Sequence, residues 1–216
     1  MIKNIREFSK EDLFNWLKSE AGVNNKSWFS TDGIGHGVTE GNLELQQVAE
    51  EYVEYLWFLK EGNFKSYLNI GVGNGGSFLT ETYIQESLDI SVAVDNSSYS
   101  HNNQKLSIYN KINWMNNNLK DTKVEFHDSD SFAWLNNNKD RRFDVIFIDG
   151  DHSYEGVKRD YINSLPLLNS GGYIIFHDIS SKGCPGVVNI WKEIKNNNCI
   201  EFIQSDTCGI GIWRDI

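Results

Sequence analysis

Carboxylates and imidazoles follow two apolar segments in the second half of the chain. Asp149 and His152 follow one of these segments, and His177 and Asp178 end the next. If the two segments are neighbouring parallel strands, their carboxyl ends meet at one edge and these four side chains converge on one crevice. Converging carboxylates favour a cation such as Mg²⁺, whereas a histidine is a suitable general base near neutral pH. The residues themselves leave both chemistries open.

A glycine-rich turn lies upstream of these residues. Gly71, Gly73 and Gly75 follow an apolar-leaning run, and a helical pattern begins at Ser77. Residues without a Cβ let the backbone approach a ligand, and the amides at a helix start favour negative charge. With Gly76, the spacing satisfies the GxGxxG pattern of dinucleotide sites, and it equally satisfies the GxGxG turn of S-adenosylmethionine (SAM) sites. The turn therefore predicts a nucleotide-type ligand without choosing between them.

An acidic residue supports the prediction of an adenosine ligand. Asp95 ends the second apolar segment, at about the distance from the glycines at which a ribose-binding acid is expected. Both SAM and nicotinamide dinucleotides carry a ribose. Asp95 therefore indicates adenosine and leaves the cofactor open.

These residues must be positioned by alternating strands and helices. Apolar runs that begin near Tyr67, Ile90, Lys123, Phe143 and Tyr173 predict five strands, with helices between them and one over about 154–168. The segments 200–203 and 209–213 predict a closing antiparallel pair. The pattern indicates a doubly wound, Rossmann-like α/β fold with a mostly parallel seven-stranded sheet. Residues 1–42 are predicted to hold a helix from Ser9 and a loop, 21–42, that is either a lid or substrate loop over the site or a plain terminal connection.

Composition limits the classes of function. The chain has 216 residues and a net charge of −10, which argues against a broad nucleic-acid-binding surface. No apolar run is long enough to span a bilayer. The three cysteines form no CxxC pair, which favours a reducing compartment, and we expect a cytoplasmic protein. The oligomeric state is open, a homo-oligomer included.

Two sequence blocks resemble a known family. The blocks are Ile148-Asp-Gly-Asp-His-Ser-Tyr-Glu-Gly-Val157 and Gly171-Gly-Tyr-Ile-Ile-Phe-His-Asp178. With the glycine turn, they resemble the class I SAM-dependent methyltransferases, and among these a group of small O-methyltransferases. That group is related to metal-dependent sugar and catechol O-methyltransferases and to cephalosporin-hydroxylase-like proteins. The resemblance implies that residues 43–216 are a methyltransferase domain that methylates a hydroxyl of a small molecule or sugar.

The resemblance also implies roles for individual residues. The expected SAM-binding residues are Gly71, Gly73 and Gly75 at the methionine end, Ser77 near its carboxylate, Asp95 at the ribose, Asp130 beside the adenine and Asp149 beside the methyl group. Asp149, His177 and Asp178 are the expected ligands of a divalent metal that holds the acceptor oxygen. Asp149, His152 and His177 are the expected catalytic residues.

One position departs from the family pattern. Ile179 follows Asp178, where the catechol-type enzymes have a metal-binding asparagine. The third ligand is therefore open among His177, Asp151, His152 and water.

Three other functions fit parts of the sequence. An NAD(P)-binding oxidoreductase would share the glycine turn, but little chain is left for a separate substrate region. A nucleic-acid methyltransferase is disfavoured by the acidic charge and by the absence of an Asn-Pro-Pro-Tyr-type motif. The third is a non-catalytic module with the SAM-binding fold.

Overall fold

A seven-stranded sheet organises the part of the chain that the computed structural model describes, namely residues 4–19, 43, 45, 47–96, 104–204 and 207–214. The strands are β1 (Ser66–Ile70), β2 (Ile90–Asp95), β3 (Lys123–Asp128), β4 (Phe143–Ile148), β5 (Leu168–His177), β6 (Ile200–Phe202) and β7 (Ile210–Arg214). Their order across the sheet is β3-β2-β1-β4-β5-β7-β6. Strands β1 to β5 pair in parallel, and β7 is antiparallel to both β5 and β6. The predicted α/β fold with its closing antiparallel pair is confirmed.

Helices cover both faces of this sheet. They are α1 (Lys10–Ser19), α2 (Ala49–Glu61), α3 (Gly76–Ile84), α4 (Gln104–Asn118), α5 (Ser131–Asn137), α6 (Tyr154–Ser164) and α7 (Pro185–Ile194). Buried side chains of α1 to α4 pack in one hydrophobic cluster with the sheet, and those of α5 to α7 pack in a second. Because apolar helices cover both faces, β4 is apolar at nearly every position.

The connection between α6 and β5 differs from the prediction. The helix ends at Ser164, four residues before the predicted end, and a 3-10 turn covers Leu165–Leu167. Pro166 has no backbone amide to donate and cannot continue the α-helical hydrogen bonds. Strand β5 consequently begins at Leu168 instead of Tyr173.

The sheet has a topological switch point between β1 and β4. The chain proceeds outward from β1 through β2 to β3, and then returns to β4 on the other side of β1. In open α/β sheets, ligands bind at such a point, outside the carboxyl ends of the strands. The fold therefore places the glycine turn after β1 beside the polar residues after β4.

Two further sequence predictions concern the rest of the chain. Within the described ranges, no helix combines the length and the apolar character needed to cross a bilayer. The predicted lid, residues 21–42, lies outside the described residues. The division of the chain at residue 42 stays a prediction.

Candidate active site

The turn after β1 requires glycine at its first position. Gly71 has φ +85°, and a Cβ built there would lie 2.1 Å from the backbone oxygen of Asp149. Its amide donates to the carbonyl oxygen of Val94 at 2.9 Å, while the amide of Asp149 donates to that of Ile70 at 2.8 Å. The backbones after β1, β2 and β4 therefore meet at this residue. No larger side chain fits without moving one of them.

The other two predicted glycines have different surroundings. Gly73 has φ +50°, and a Cβ there would have no heavy atom within 4 Å. Its open side faces the larger of the two cavities described below. Gly75, with φ +78°, precedes the first residue of α3, and its amide donates to the carbonyl of Val72 at 2.7 Å. Gly75 lines neither of the two cavities described below, and it shapes the start of the helix.

A cavity of about 770 Å³ opens at the carboxyl ends of β1, β2 and β4. This volume is in the range of pockets that bind cofactors and small molecules. Predicted residues that line it are Gly71, Gly73, Asp95, Asp130, Asp149 and His152. The fold thus brings together residues that are far apart in the chain.

Asp95 supports the glycine turn directly. Its Oδ2 accepts hydrogen bonds from the amides of Val72 at 2.8 Å and Gly73 at 3.1 Å. Burial raises the pKa of Asp95 above its usual value, although these two bonds favour the charged form. A structural role in the turn is therefore established by contacts, and ribose binding stays a prediction.

Asp130 and its neighbours form the far side of this cavity. Asp130 caps α5, and its Oδ1 accepts from the amide of Ala133 at 3.0 Å. Ser131 donates from its hydroxyl to Oδ1 of Asp160 at 2.7 Å. Asp160 is fully buried on α6, and burial raises its pKa to about 6. Sequence reasoning missed Asp160, although it falls on the inward face of that helix with Val157 and Ser164.

Asp149, His152, His177 and Asp178 form one group, which we call the acid–imidazole cluster. Oδ1 of Asp149 lies 3.2 Å from both His152 Nε2 and His177 Nδ1. Oδ2 of Asp178 lies 3.5 Å from the same His152 nitrogen and 3.7 Å from the same His177 nitrogen. The four predicted residues therefore converge as the sequence analysis expects.

The charges in this cluster stabilise one another. Burial opposes ionisation of Asp149, but the neighbouring imidazoles outweigh it and hold the pKa of Asp149 well below its usual value. The hydrogen bond to Asp149 raises the pKa of His152 above its usual value. Burial lowers the pKa of His177, but the carboxylates of Asp149 and Asp178 outweigh burial and raise it. Both histidines therefore favour the imidazolium form in this arrangement.

Asp178 has two features that sequence patterns do not predict. Its φ is +65°, a strained conformation for a residue with a Cβ, and such strain is concentrated at functional sites. Its Oδ2 also accepts from the thiol of Cys184 at 3.2 Å. One ligand atom each from Cys184, Asp178 and His152 lie within 4.8 Å of one another. The sequence analysis assigned no site role to any of the three cysteines, Cys184 included.

A second, smaller cavity of about 120 Å³ adjoins the cluster. The predicted residue Ser77 lines it, and the Ser77 hydroxyl accepts from Nε2 of Gln47 at 3.4 Å. Asn69 of β1 and Asn74 of the glycine turn also line it. Sequence reasoning missed Gln47, Asn69 and Asn74. For Asn69 a signal exists, since it is a polar residue inside the buried strand β1.

Comparisons with known proteins agree with this geometry. Residues 68–179 match a family model described as a methyltransferase domain, which is slightly more than half of the 216 residues. The matched range contains every residue of the acid–imidazole cluster and of the glycine turn.

Solved structures share the fold at low sequence identity. The O-methyltransferase TomG from Streptomyces achromogenes, involved in tomaymycin synthesis and solved with SAM, is 13% identical with a TM-score of 0.59, over 98% of each chain. An O-methyltransferase from Bacillus cereus, solved with S-adenosylhomocysteine (SAH), is 19% identical with a TM-score of 0.57, over 79% of this chain and 83% of that one.

A curated protein matches a short segment. Uncharacterized protein R132 of Acanthamoeba polyphaga mimivirus is 49% identical over 35 residues. The match spans 16% of this chain and 16% of that protein. It adds no information on activity.

Proposed function

The chain belongs to the methyltransferase-domain family of class I SAM-dependent methyltransferases, and from this premise we propose that it methylates a hydroxyl oxygen of a small molecule or sugar. The observation that carries the proposal is the position of the acid–imidazole cluster. Asp149 and His152 line both the larger and the smaller cavity. Groups able to bind a cation or move a proton therefore lie where a donor and an acceptor would meet.

The described residues suit SAM as the methyl donor. Gly71 allows the backbones after β1 and β4 to come close, and Gly73 leaves its side of the turn open. Asp95 and Asp130 line the larger cavity beside that turn, which supports the proposal that they bind the ribose and the adenine. We propose that SAM lies across the turn, with its methionine end toward Ser77.

The proposed reaction is a direct displacement. The acceptor oxygen forms a bond to the methyl carbon, and the carbon–sulfur bond breaks. Its electron pair goes to sulfur, so that the sulfonium becomes the neutral thioether SAH. The hydroxyl proton leaves for a basic group. His152, the exposed imidazole of the cluster, can accept it only in its neutral form, which its hydrogen bond to Asp149 disfavours. Since the donor arrives activated, positioning supplies most of the rate, and good positioning is worth about 7–11 kcal/mol.

The cluster also fits a divalent cation. The four distances between a carboxylate oxygen and an imidazole nitrogen of this cluster are 3.2, 3.2, 3.5 and 3.7 Å. Ligands about 2.0–2.2 Å from a tetrahedral ion lie roughly 3.3–3.6 Å from one another. Two sets of three ligand atoms already lie within 4.8 Å of one another, one from His152, Asp178 and Cys184 and one from His177, Asp178 and Cys208. Two imidazole nitrogens favour Zn²⁺ or a related transition metal over Mg²⁺. A bound cation would act as a Lewis acid that favours the ionised acceptor oxygen.

The alternatives are less well supported. Family membership favours a methyl donor over a nicotinamide dinucleotide. A non-catalytic module would have no need of a buried imidazole between the carboxylates of Asp149 and Asp178 at the ends of β4 and β5, since charges are costly to bury. TomG and the Bacillus cereus protein, which share the fold, are O-methyltransferases, and this supports oxygen as the accepting atom.

The net charge and the cysteine pattern support proposals on the partner and the cellular location. We propose a small-molecule partner because the net charge of the chain is −10, which disfavours binding to nucleic acid. We also propose the cytoplasm as the location, because the cysteines show no disulfide-type pattern.

Mass spectrometry tests the proposal. The purified protein is incubated with SAM and a panel of phenols, sugars and other hydroxylated small molecules, and both SAH and methylated products are measured. We expect one acceptor class to gain a methyl group, and Asp149→Asn to lose this transfer. A folded protein that binds NAD but neither SAM nor SAH would overturn the assignment.

A further inference from the structure

A buried carboxylate of α2 holds the connection between β6 and β7. Glu51 lies in the first turn of α2 and is buried. Its Oε1 accepts from the amide of Gln204 at 2.8 Å and from the Thr207 hydroxyl, and its Oε2 accepts from the amide of Gly209 at 2.9 Å. The reaction proposed above makes no use of this carboxylate. One side chain therefore holds three positions of a connection that is distant from it in the chain.

The same connection holds the residues that follow Asp178. The amide of Ile179 donates to the carbonyl of Gly209 at 3.3 Å. The amide of Ser180 donates to the carbonyl of Cys208 at 2.8 Å. These bonds extend the contact between β5 and β7 past the end of β5, so the backbone after Asp178 is tied to the connection.

The contact between the two segments is close. Gly209 has φ +75°, and a Cβ built there would lie 2.6 Å from the Ser180 hydroxyl oxygen and 2.9 Å from Cγ1 of Ile179. The Ser180 hydroxyl also donates to the carbonyl of Thr207 at 3.0 Å. A shift of the connection therefore cannot leave the neighbouring segment in place.

The segment held in this way contains the strained residue of the acid–imidazole cluster. Asp178 has φ +65°, and a strained backbone conformation persists only where the surrounding structure constrains it. In this conformation its Oδ2 lies 3.5 Å from His152 Nε2 and 3.7 Å from His177 Nδ1. A change to an ordinary negative φ would move the carboxylate away from both imidazoles.

We infer that Glu51 is a positioning residue of the acid–imidazole cluster, which acts through the connection between β6 and β7 to keep Asp178 in its strained conformation. Glu51 lines neither of the two cavities, so its effect on the site passes through Asp178. The inference deepens the proposed function, and it rests on that function for the use that the cluster serves.

Crystal structures of Glu51→Gln and of the unmodified protein test the inference directly. A glutamine has one acceptor oxygen, and its amide nitrogen only donates, so it cannot accept from all three donors. With its oxygen toward Gln204 and Thr207, its nitrogen faces the amide of Gly209, and that hydrogen bond is lost. We expect Asp178 to adopt a negative φ in the variant and its Oδ2 to lie farther from His152 Nε2 than the present 3.5 Å.

Two binding measurements show the consequence for the site. Co²⁺ binding is followed by its visible absorption, and SAH binding by calorimetry. Glu51→Gln should weaken Co²⁺ binding about 10- to 100-fold, as loss of the support behind a metal ligand typically does. It should leave SAH binding unchanged, because the glycine turn follows β1, which β4 separates from β5.

A control variant separates positioning from general stability. Glu61→Gln, at the exposed last residue of α2, should change neither affinity. A merely structural role of Glu51 would lower thermal stability and weaken both ligands alike, or neither. Either of these results would overturn the inference.

The outcomes also separate this inference from the proposed function. If Asp178 keeps its φ and its distance from His152 in Glu51→Gln, the inference is wrong and the proposed function stands. If the folded, unmodified protein binds neither SAM nor SAH, the proposed function fails, whereas the crystal structures still decide whether Glu51 positions Asp178. Should Glu51→Gln not fold, Thr207→Val removes only the hydroxyl between Glu51 and Gln204. The same displacement of Asp178 is then expected in that variant, and its absence would overturn the inference.

Discussion

Asp149 and His177 form an ion pair across two neighbouring strands, with Oδ1 of the carboxylate 3.2 Å from Nδ1 of the imidazole. Asp149 follows β4, while His177 is the last residue of β5, and the His177 side chain is 4% exposed. A charge that is this well buried depends on its partner. The pair therefore links the stability of the fold to the chemistry of the site.

Asp149→Asn should destabilise the protein by about 2–3 kcal/mol, because it removes the nearer of the two carboxylates that compensate the buried His177 imidazolium and leaves only Asp178. Urea unfolding followed by circular dichroism measures this difference. Asp151→Asn is the matched control, since Asp151 is exposed in the same loop and its Oδ1 accepts from the amide of Ser153, which an asparagine can also do. A loss no larger than that of the control would show that the pair contributes nothing to stability.

The glycine turn offers a matched pair of substitutions. Gly71→Ala places a methyl group 2.1 Å from the Asp149 backbone oxygen, whereas Gly73→Ala meets no atom within 4 Å. Both carry the cost of a positive φ, about 1–2 kcal/mol. We expect Gly71→Ala to unfold or lose clearly more stability than Gly73→Ala, and Gly73→Ala to keep the fold but weaken SAH binding. Equal stabilities in thermal denaturation would contradict the close approach at Gly71.

Much of this architecture is predictable from the sequence. Buried parallel strands are apolar at nearly every position, so β1, β2 and β4 and their polar end residues are visible as runs followed by Asp95 and Asp149. The convergence of Asp149 with His177 follows because the carboxyl ends of parallel neighbours meet. Where a local rule competes with periodicity, the prediction fails, as at the end of α6, where Pro166 interrupts the helix.

Side-chain pairing is the part that sequence patterns do not predict. The contact of Cys184 with Asp178 depends on how α7 packs beside β5, and no spacing rule relates the two residues. The hydrogen bond between Asn69 and Glu81 has a weak signal in the sequence, since each is a polar residue in a buried strand or helix. Such residues could have been singled out, but their partners could not be named before the fold was known.

Asp95 has a contact that refines its predicted role. The Asp95 carboxylate accepts hydrogen bonds from the amides of Val72 and Gly73. Asp95→Ala should therefore weaken SAH binding by about 1.5–3 kcal/mol, because the turn loses these two bonds, because the ribose loses its acceptor, or for both reasons. Asp95→Asn keeps an oxygen that can accept from the turn but changes the other acceptor into a donor. A loss in both variants indicates ribose binding, and a loss in Asp95→Ala alone indicates the turn. Unchanged affinity in both would remove Asp95 from the site.

The geometry of the acid–imidazole cluster predicts a recognisable metal spectrum. Titration with Co²⁺ should produce the intense visible absorption of a tetrahedral ion with mixed nitrogen and oxygen ligands. His152→Ala should weaken or abolish this band. His127→Ala is the control, because His127 lies on β3 and contacts Glu125 at 3.1 Å, away from the cluster. A weak band of octahedral type in the unmodified protein would count against His152 as a ligand.

The buried Glu81 predicts a dependence of stability on pH. Burial raises the pKa of Glu81 from 4.5 to about 7, more than its three hydrogen bonds lower it. The folded protein thus binds this proton more tightly than the unfolded chain does. The stabilisation from the protonated form is fully present below pH 4.5 and is lost as the pH rises toward about 7, a change of about 3 kcal/mol.

Glu81→Gln should remove this dependence, because a glutamine stays neutral throughout. Relative to the unmodified protein, the variant should gain about 2–3 kcal/mol in free energy of unfolding between pH 5 and pH 8. Urea unfolding at both pH values measures this gain, and Glu86→Gln, at an exposed position just after α3, provides the baseline. If the two proteins differ by the same free energy of unfolding at both pH values, the fold does not raise the pKa of Glu81.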